Sequence, residues 1–229
     1  MSDYWKVLYD SISKKFDGSL LKQVGKTING QEISENQIRI IVDAIAKALS
    51  LNSKDSIIDL CCGNGLITKE LELLANEIVG IDFTDGLILA AKKYKSSPNI
   101  KDINSDVLGF DLSHLSGIKK ILMYEALQHF SPSQLGTLLG KLEILAPGAL
   151  IFIGSIPDKD KLRAYYDTEE KFAFYIQRES EGAPHIGKWW SMAEIDQIAS
   201  AYGFKALFLP QESTLYTAYY RFDVLLEKM

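Results

Sequence analysis

The chain has 229 residues, with 25 Lys+Arg against 30 Asp+Glu, a formal net charge of −5, 24% charged and 47% hydrophobic residues. This composition excludes a mainly disordered or collagen-like protein and suits one large α/β domain as well as two small ones. A mildly acidic chain has no electrostatic case for wrapping nucleic acid, which is disfavoured as a substrate. No apolar stretch reaches the roughly 20 residues of a membrane span, and the first ten residues mix charge with aromatics, unlike a signal peptide. Cytoplasm is the expected location. The two cysteines, Cys61 and Cys62, are adjacent, which fits neither a disulfide framework nor a CxxC metal or redox site. They read as small hydrophobes at a buried strand end.

Residues 1–33 precede the first regular helix and contain the turn dipeptide Asn29-Gly30. Ser34–Gln37 is a capping-box pattern, and Ile38, Ile41, Val42, Ile45, Ala48 and Leu49 form the stripe of a helix packed on one face. Residues 56–62 read as a buried parallel strand that ends at Gly63-Asn64-Gly65. A helix over about 66–75, a strand over 77–83 and a helix marked by Leu87, Ile88, Ala91 and Tyr94 follow. Residues 100–106 form a weaker strand and 120–125 a strong one. Ser131-Pro132-Ser133-Gln134 combines a capping box with proline at the first helical position. Its helix carries Leu135, Leu138, Leu139, Leu142 and Leu145 and stops at Pro147-Gly148. Residues 149–156 make a fifth strand, and Ser191–Glu194 caps a helix that runs to Tyr202-Gly203. Strands at 204–210 and 219–227 then follow with no helix between them. Five βα units and a closing β-pair predict an α/β, Rossmann-like, doubly wound sheet of seven strands, mostly parallel with one antiparallel strand.

Two segments lie off this rhythm, residues 1–33 and the aromatic-rich residues 157–190, and both are expected to cover the same end of the sheet. In open α/β sheets, ligands bind beyond the carboxyl ends of the strands at the topological switch point. The strongest motif lies there: Asp59-Leu60-Cys61-Cys62-Gly63-Asn64-Gly65. Glycines at a strand-to-helix turn let the backbone approach a ligand with no Cβ in the way. Asp82 ends the next strand, where a carboxylate can accept from both hydroxyls of a ribose, so the spacing fits an adenosine nucleotide. The nicotinamide fingerprint GxGxxG fails at its last glycine, because Thr68 stands three residues past Gly65.

The pattern Asp-x-x-x-Gly-x-Gly instead resembles motif I of the class I S-adenosylmethionine-dependent methyltransferases. The resemblance extends to the acidic strand end Val79–Phe83, to Asn104-Ser105-Asp106, to Tyr124–Phe130 and to the closing β-pair. The family's usual first glycine is Cys61 here. The resemblance implies a methyltransferase domain over 34–229, with 1–33 as an N-terminal lid and 157–190 as an acceptor-side cap. Asp59, Cys61, Gly63 and Gly65 would then lie along the methionine part of S-adenosylmethionine. Asp82 would hold the ribose, with Phe83 beside the adenine, Asp106 and Val107 on the adenine edge, and Glu125 closing the site.

His129 is the candidate general base, because a hydroxyl acceptor must lose a proton and a neutral imidazole suits that near pH 7. His114 and His185 are weaker candidates for the same role. Glu125-Ala126-Leu127-Gln128-His129 stands where some O-methyltransferases place a Glu-x-x-Glu-His cation site. Gln128 is a poor replacement for an anionic ligand, so no metal is expected. Tyr165, Tyr166, His185, Trp189 and Trp190 are candidates for the acceptor wall, and Lys22, Gln23 and Lys26 are available to an anionic acceptor. The expectation is methyl transfer to a small, hydroxylated or sugar-like molecule. A nicotinamide-dependent oxidoreductase and a catalytically silent nucleotide-binding subunit are the alternatives. Oligomeric state is not written in the sequence.

Overall fold

The computed structural model describes residues 3–113 and 117–229, so His114 lies outside the described residues. Seven strands form one sheet: β3 (Ser56–Leu60), β4 (Glu77–Asp82), β5 (Ile100–Asn104), β6 (Lys120–Tyr124), β7 (Leu150–Pro157), β8 (Phe204–Pro210) and β9 (Arg221–Lys228). Their order is β5-β4-β3-β6-β7-β9-β8, and β9 alone runs antiparallel to its neighbours. The strands β1 (Thr27–Ile28) and β2 (Gln31–Glu32) form a separate hairpin. Both its turn residues, Asn29 and Gly30, have positive φ, the geometry that an Asn-Gly hairpin turn requires.

Strand alternation divides the core. Ile58, Val79, Ile121 and Ile153 point into one cluster, which is closed by Leu135, Leu138, Leu139 and Leu142 of α6 (Pro132–Leu142) and by Ile195 and Ala199 of α9 (Met192–Ala201). Their neighbours Ile57, Ile78, Leu122 and Phe152 point into the other, under Ile41 and Ile45 of α3 (Glu35–Ala48). The capping box at Ser131 is formed in full. Ser191 Oγ accepts from the Glu194 N–H, whereas Ser34 sits at its N-cap without a side-chain bond. The short α4 (Leu66–Glu70) and α5 (Asp85–Tyr94) follow β3 and β4. The direction of strand succession reverses between β3 and β6, and the crevice of such a sheet lies there.

The first 33 residues are more regular than expected. α1 (Asp3–Lys15) is a thirteen-residue helix packed on α5, and α2 (Leu20–Gln23) follows it. Its stripe, Trp5, Leu8, Tyr9 and Ile12, has the i, i+3, i+4, i+7 spacing of a helix face. Trp5 is buried, and Val7 on the opposite side is exposed. The 157–190 segment carries α7 (Leu162–Tyr165) and α8 (Glu169–Ser180), and its ends are stapled together by Trp190 N–H donating to Pro157 O.

Candidate active site

The β3–α4 loop builds one wall. Cys61, Gly63 and Gly65 all have positive φ, and a Cβ at Gly63 would stand 3.3 Å from Val24 Cγ1. Gly65 serves packing, since a Cβ there would meet Ala91 Cβ of α5 at 3.2 Å. Asp82 at the end of β4 is buried, and its two oxygens accept from the N–H groups of Gly63 (3.0 Å) and Thr84 (2.8 Å). Burial pushes its carboxyl upward against these hydrogen bonds, with a net rise.

One pocket gathers Cys61, Gly63, Asp82, Phe83, Glu125 and His129, all foreseen from sequence. The structure adds Tyr9, Val24, Lys26 and Tyr124 to its lining. Both cysteines line it as free thiols, and burial lifts both well above the ordinary thiol range. They are half-buried pocket walls rather than core residues.

Other expected cofactor residues stand elsewhere. Asp59 lies behind the loop, where its carboxylate accepts from Thr68 Oγ1 at 2.6 Å. Burial, joined by the charges of Asp82 and Asp102, raises its carboxyl to about 7. Thr68 thus ties α4 to β3 through a side chain, which is why no third glycine is needed. Asp106 Oδ1 caps its own turn by accepting from the Leu108 N–H, and Val107 packs in the core. Neither they, Asp59 nor Gly65 reaches the lining of this pocket.

Glu125 ends β6 with a positive φ, and its carboxylate receives Lys26 Nζ (2.5 Å) and Ser155 Oγ (3.1 Å). Burial pushes the Glu125 carboxyl up, but the charges of Lys26 and Arg221 and the hydrogen bonds outweigh it, and the net shift is downward. Lys26 is itself buried, 4.5 Å over the Tyr124 ring, and burial lowers its pKa. Gln23 is equally engaged, bridging Asn64 Nδ2 (2.9 Å) and the Ser13 carbonyl (3.1 Å). Neither is free for an acceptor, which corrects the reading of Gln23 and Lys26 as acceptor contacts; Lys22 remains at the wall of an adjoining chamber.

His129 follows β6 and faces both spaces. The Trp5 ring lies 4.1 Å from it, Nε2 is 3.2 Å from Tyr9 Oη, and Nδ1 has no hydrogen-bond partner among the described residues. Burial, with the Arg221 charge, lowers the imidazole to about 3 and keeps it neutral.

Of the expected acceptor residues, Tyr165 and His185 line the adjoining chamber. Trp189 lines a groove on the far side of His129. Tyr166 is buried in an aromatic cluster and meets His185 Nδ1 at 3.2 Å. Trp190 is a core residue, fully buried, with its indole N–H donating to Leu127 O at 3.1 Å. It is not an acceptor wall, because two consecutive residues entering a bridge point to opposite sides. Among the described residues, no group of His, Cys, Asp and Glu side chains has the arrangement of a metal site. None of their helices is long and apolar enough to cross a membrane.

A family profile described as "Methyltransferase domain" matches residues 57–148. A ribosomal RNA small subunit methyltransferase A of Dehalococcoides mccartyi is 32% identical over 69 residues, 30% of this chain and 24% of that protein. The chain therefore spans about a quarter of that relative. A SAM-dependent methyltransferase of Anabaena variabilis superposes with TM-score 0.69 at 18% identity, over 99% of this chain and 94% of the other. The magnesium protoporphyrin IX methyltransferase of Synechocystis, solved with bound SAH, gives TM-score 0.64 at 13% identity, over 99% and 97%. These two likenesses establish the fold. The pocket fits that cofactor: the Gly63 cradle would be filled by a Cβ, and the buried Asp82 carboxylate faces it. Strand order and glycine loop are those of the Rossmann-like methyltransferase fold, and residues 57–148 match the methyltransferase-domain profile.

Proposed function

We propose that the chain transfers a methyl group from S-adenosylmethionine to the hydroxyl of a small molecule. The observation that carries this reading is the shared lining: His129 and Glu125 face both the glycine-loop pocket and the adjoining aromatic chamber. S-adenosylmethionine supplies an electrophilic methyl on a sulfonium. Asp82 and Phe83 hold the nucleoside end, Gly63 lies along the methionine part, and Lys26 and Glu125 close the floor as a neutralised pair. His129 takes the acceptor's proton at Nδ1. For this its Nε2–H must donate to the Tyr9 oxygen, which leaves the lone pair on Nδ1. Burial keeps the imidazole unprotonated but, at about 3, leaves it a weaker base than the free imidazole expected from sequence, so it takes the proton only as methyl transfer acidifies the acceptor oxygen.

A small acceptor is favoured over RNA by the roof. Trp5 and Tyr9 of α1 lie directly on His129, so a polymer strand would have to displace a helix. The mild acidity of the chain adds no attraction for phosphates. Residues 3–33 act as the lid that excludes water from the reacting groups and lifts to release product.

Calorimetry with S-adenosylhomocysteine, and with NAD as control, tests the assignment. The first binds and the second does not. Asp82→Ala weakens binding by about 1–3 kcal/mol by removing a charged acceptor. Unchanged affinity in that variant would place the nucleoside elsewhere.

A further inference from the structure

The register of β7 against β9 slips by one residue: Ile153 faces Val224 and Ile156 faces Phe222, so Gly154 and Ser155 oppose Asp223 alone. Such a bulge re-aims the groups it carries. Ser155 is fully buried at φ +61, a left-handed conformation that disfavours a side-chain-bearing residue. All three of its polar groups are used. Its N–H donates to Asp223 Oδ1 (2.7 Å), its hydroxyl to Glu125 Oε1 (3.1 Å), and its carbonyl accepts from Arg221 Nη1 (2.5 Å). Asp223 Oδ1 also receives Gln211 Nε2 (2.9 Å), and Gln211 Oε1 receives Thr217 Oγ1 (2.7 Å). The bulge and this chain of hydrogen bonds fix one side of the Arg221 guanidinium.

The other side is unfinished. Arg221 is only 7% exposed, lies 5.0 Å from the Tyr220 ring centre, and its Nε has no hydrogen-bond partner among the described residues. Among the described residues no carboxylate lies within 4 Å of it in an ion pair, and a buried charge in that state is costly. Arg221 lines the aromatic chamber beside Tyr165, Tyr216 and Lys22. The single carboxylate in that lining, Glu125, is already held by Lys26. Burial lifts the Tyr165 phenol to about 12, so it stays protonated and can donate, while the Tyr216 hydroxyl already donates to Glu125 Oε1 at 3.5 Å.

We propose that Arg221 anchors a carboxylate of the methyl acceptor, which makes the substrate class a small acid with an aromatic or apolar body. The inference rests on reading this chamber as the acceptor site. A carboxylate matches the planar fork of guanidinium, and it complements a buried cation whose neighbouring carboxylates, Glu125 and Asp223, are hydrogen-bonded to other groups. The anion sits at the far end of the substrate, because Arg221 lines the chamber and not the glycine-loop pocket, while His129 lines both.

The test is calorimetry on the full chain with two probe pairs: 4-hydroxyphenylacetate and 3-(4-hydroxyphenyl)propionate, each against its carboxamide, with and without S-adenosylhomocysteine. At least one acid binds about tenfold or more tighter than its amide, and Arg221→Gln abolishes that preference while the amide is little affected. Should Arg221→Gln melt below the assay temperature, Arg221→Lys decides, with the acid preference falling but still present. Failure of both acids to bind, equal binding of acid and amide, or an acid preference that persists undiminished in the Arg221 variants overturns the proposal. Absence of S-adenosylhomocysteine binding would defeat the methyltransferase reading separately, since the acid-against-amide comparison is also made without it.

Discussion

The two segments that roof the site are fastened by different mixtures of contact. Residues 3–33 combine the packed face of α1, with Trp5 buried against His129, and several polar bonds: Asn64 Nδ2 to Leu20 O and Gln23 Oε1, Gln23 Nε2 to Ser13 O, and Lys26 to Glu125. Residues 157–190 are held by rings, with Tyr166 and Trp189 packed on Tyr220 and Trp190 sunk into the sheet core. A polar bond exchanged for water loses about 0.5–1.5 kcal/mol net, whereas exposing a large apolar side chain costs about 1.5–3 kcal/mol. On the proposed reading the first cover, with more of its attachment in polar bonds, opens at lower cost than the second, which serves as a wall. The difference teaches that position over the site does not make a lid. The chemistry of the attachment does.

The largest effect expected from breaking this comparison is at the wall. Trp190→Ala removes a fully buried indole and its bond to Leu127 O, and lowers global stability by about 3–5 kcal/mol in urea unfolding. A loss confined to residues 157–190, with the sheet protected as before, would show that the wall is detachable too. Asn64→Ala acts on the other cover, at about 1–3 kcal/mol. Hydrogen exchange then speeds in residues 3–33 alone, and equal protection of that segment in both proteins would remove the distinction.

His129 supplies a pH signature for the junction of the two covers. Its imidazole titrates near 3 when folded against about 6.5 when unfolded, so between these values the unfolded chain binds the extra proton. Stability from this group is intact above pH 6.5 and falls as pH drops toward 3, by up to about 1.4 kcal/mol per pH unit. His129→Gln flattens that portion of the acid slope; an unchanged slope would mean that the imidazole is hydrated when the roof is on. The smallest effect is Tyr9→Phe, which removes the bond to His129 Nε2. It costs about 0.5–1.5 kcal/mol of stability and lowers turnover with little change in nucleoside affinity.

What the sequence made legible follows the same division. Cys61, Gly63, Asp82 and Phe83 are tied to strand ends by local spacing, and alternation along β3 and β4 places them without tertiary knowledge. Tyr9, Lys26 and Arg221 reach the site from segments far apart in the chain, and no local pattern brings them together. The stripe of α1 was readable, but its helix stayed hidden among the charges and glycines of the first 33 residues. Asp59 fits the motif by position and still turns inward, since residue type alone does not say whether a strand-end carboxylate meets a ligand or a Thr68 hydroxyl. Trp189 and Trp190 are one residue apart, and only the bridge between Asp158 and Trp190 decides which of them joins the core.

Cys61, Glu125 and Ser155 share a feature with a consequence for evolution in the laboratory. All three are non-glycine residues with positive φ, at φ +61, +53 and +61, and they stand at or near the carboxyl ends of β3, β6 and β7. Glycine at any of them would relieve about 1–2 kcal/mol of backbone strain. A selection for heat resistance alone is thus drawn toward Cys61, where no buried polar bond among the described residues is lost with the side chain. At Cys61 it would restore the residue usual in the family and leave the carboxylate of Glu125 and the hydroxyl of Ser155 in place. At Glu125 and Ser155 the relief is offset or outweighed, because glycine would leave the buried Lys26 without its carboxylate or the bulge without its hydroxyl bond, so the strain there is retained by the polar network it serves.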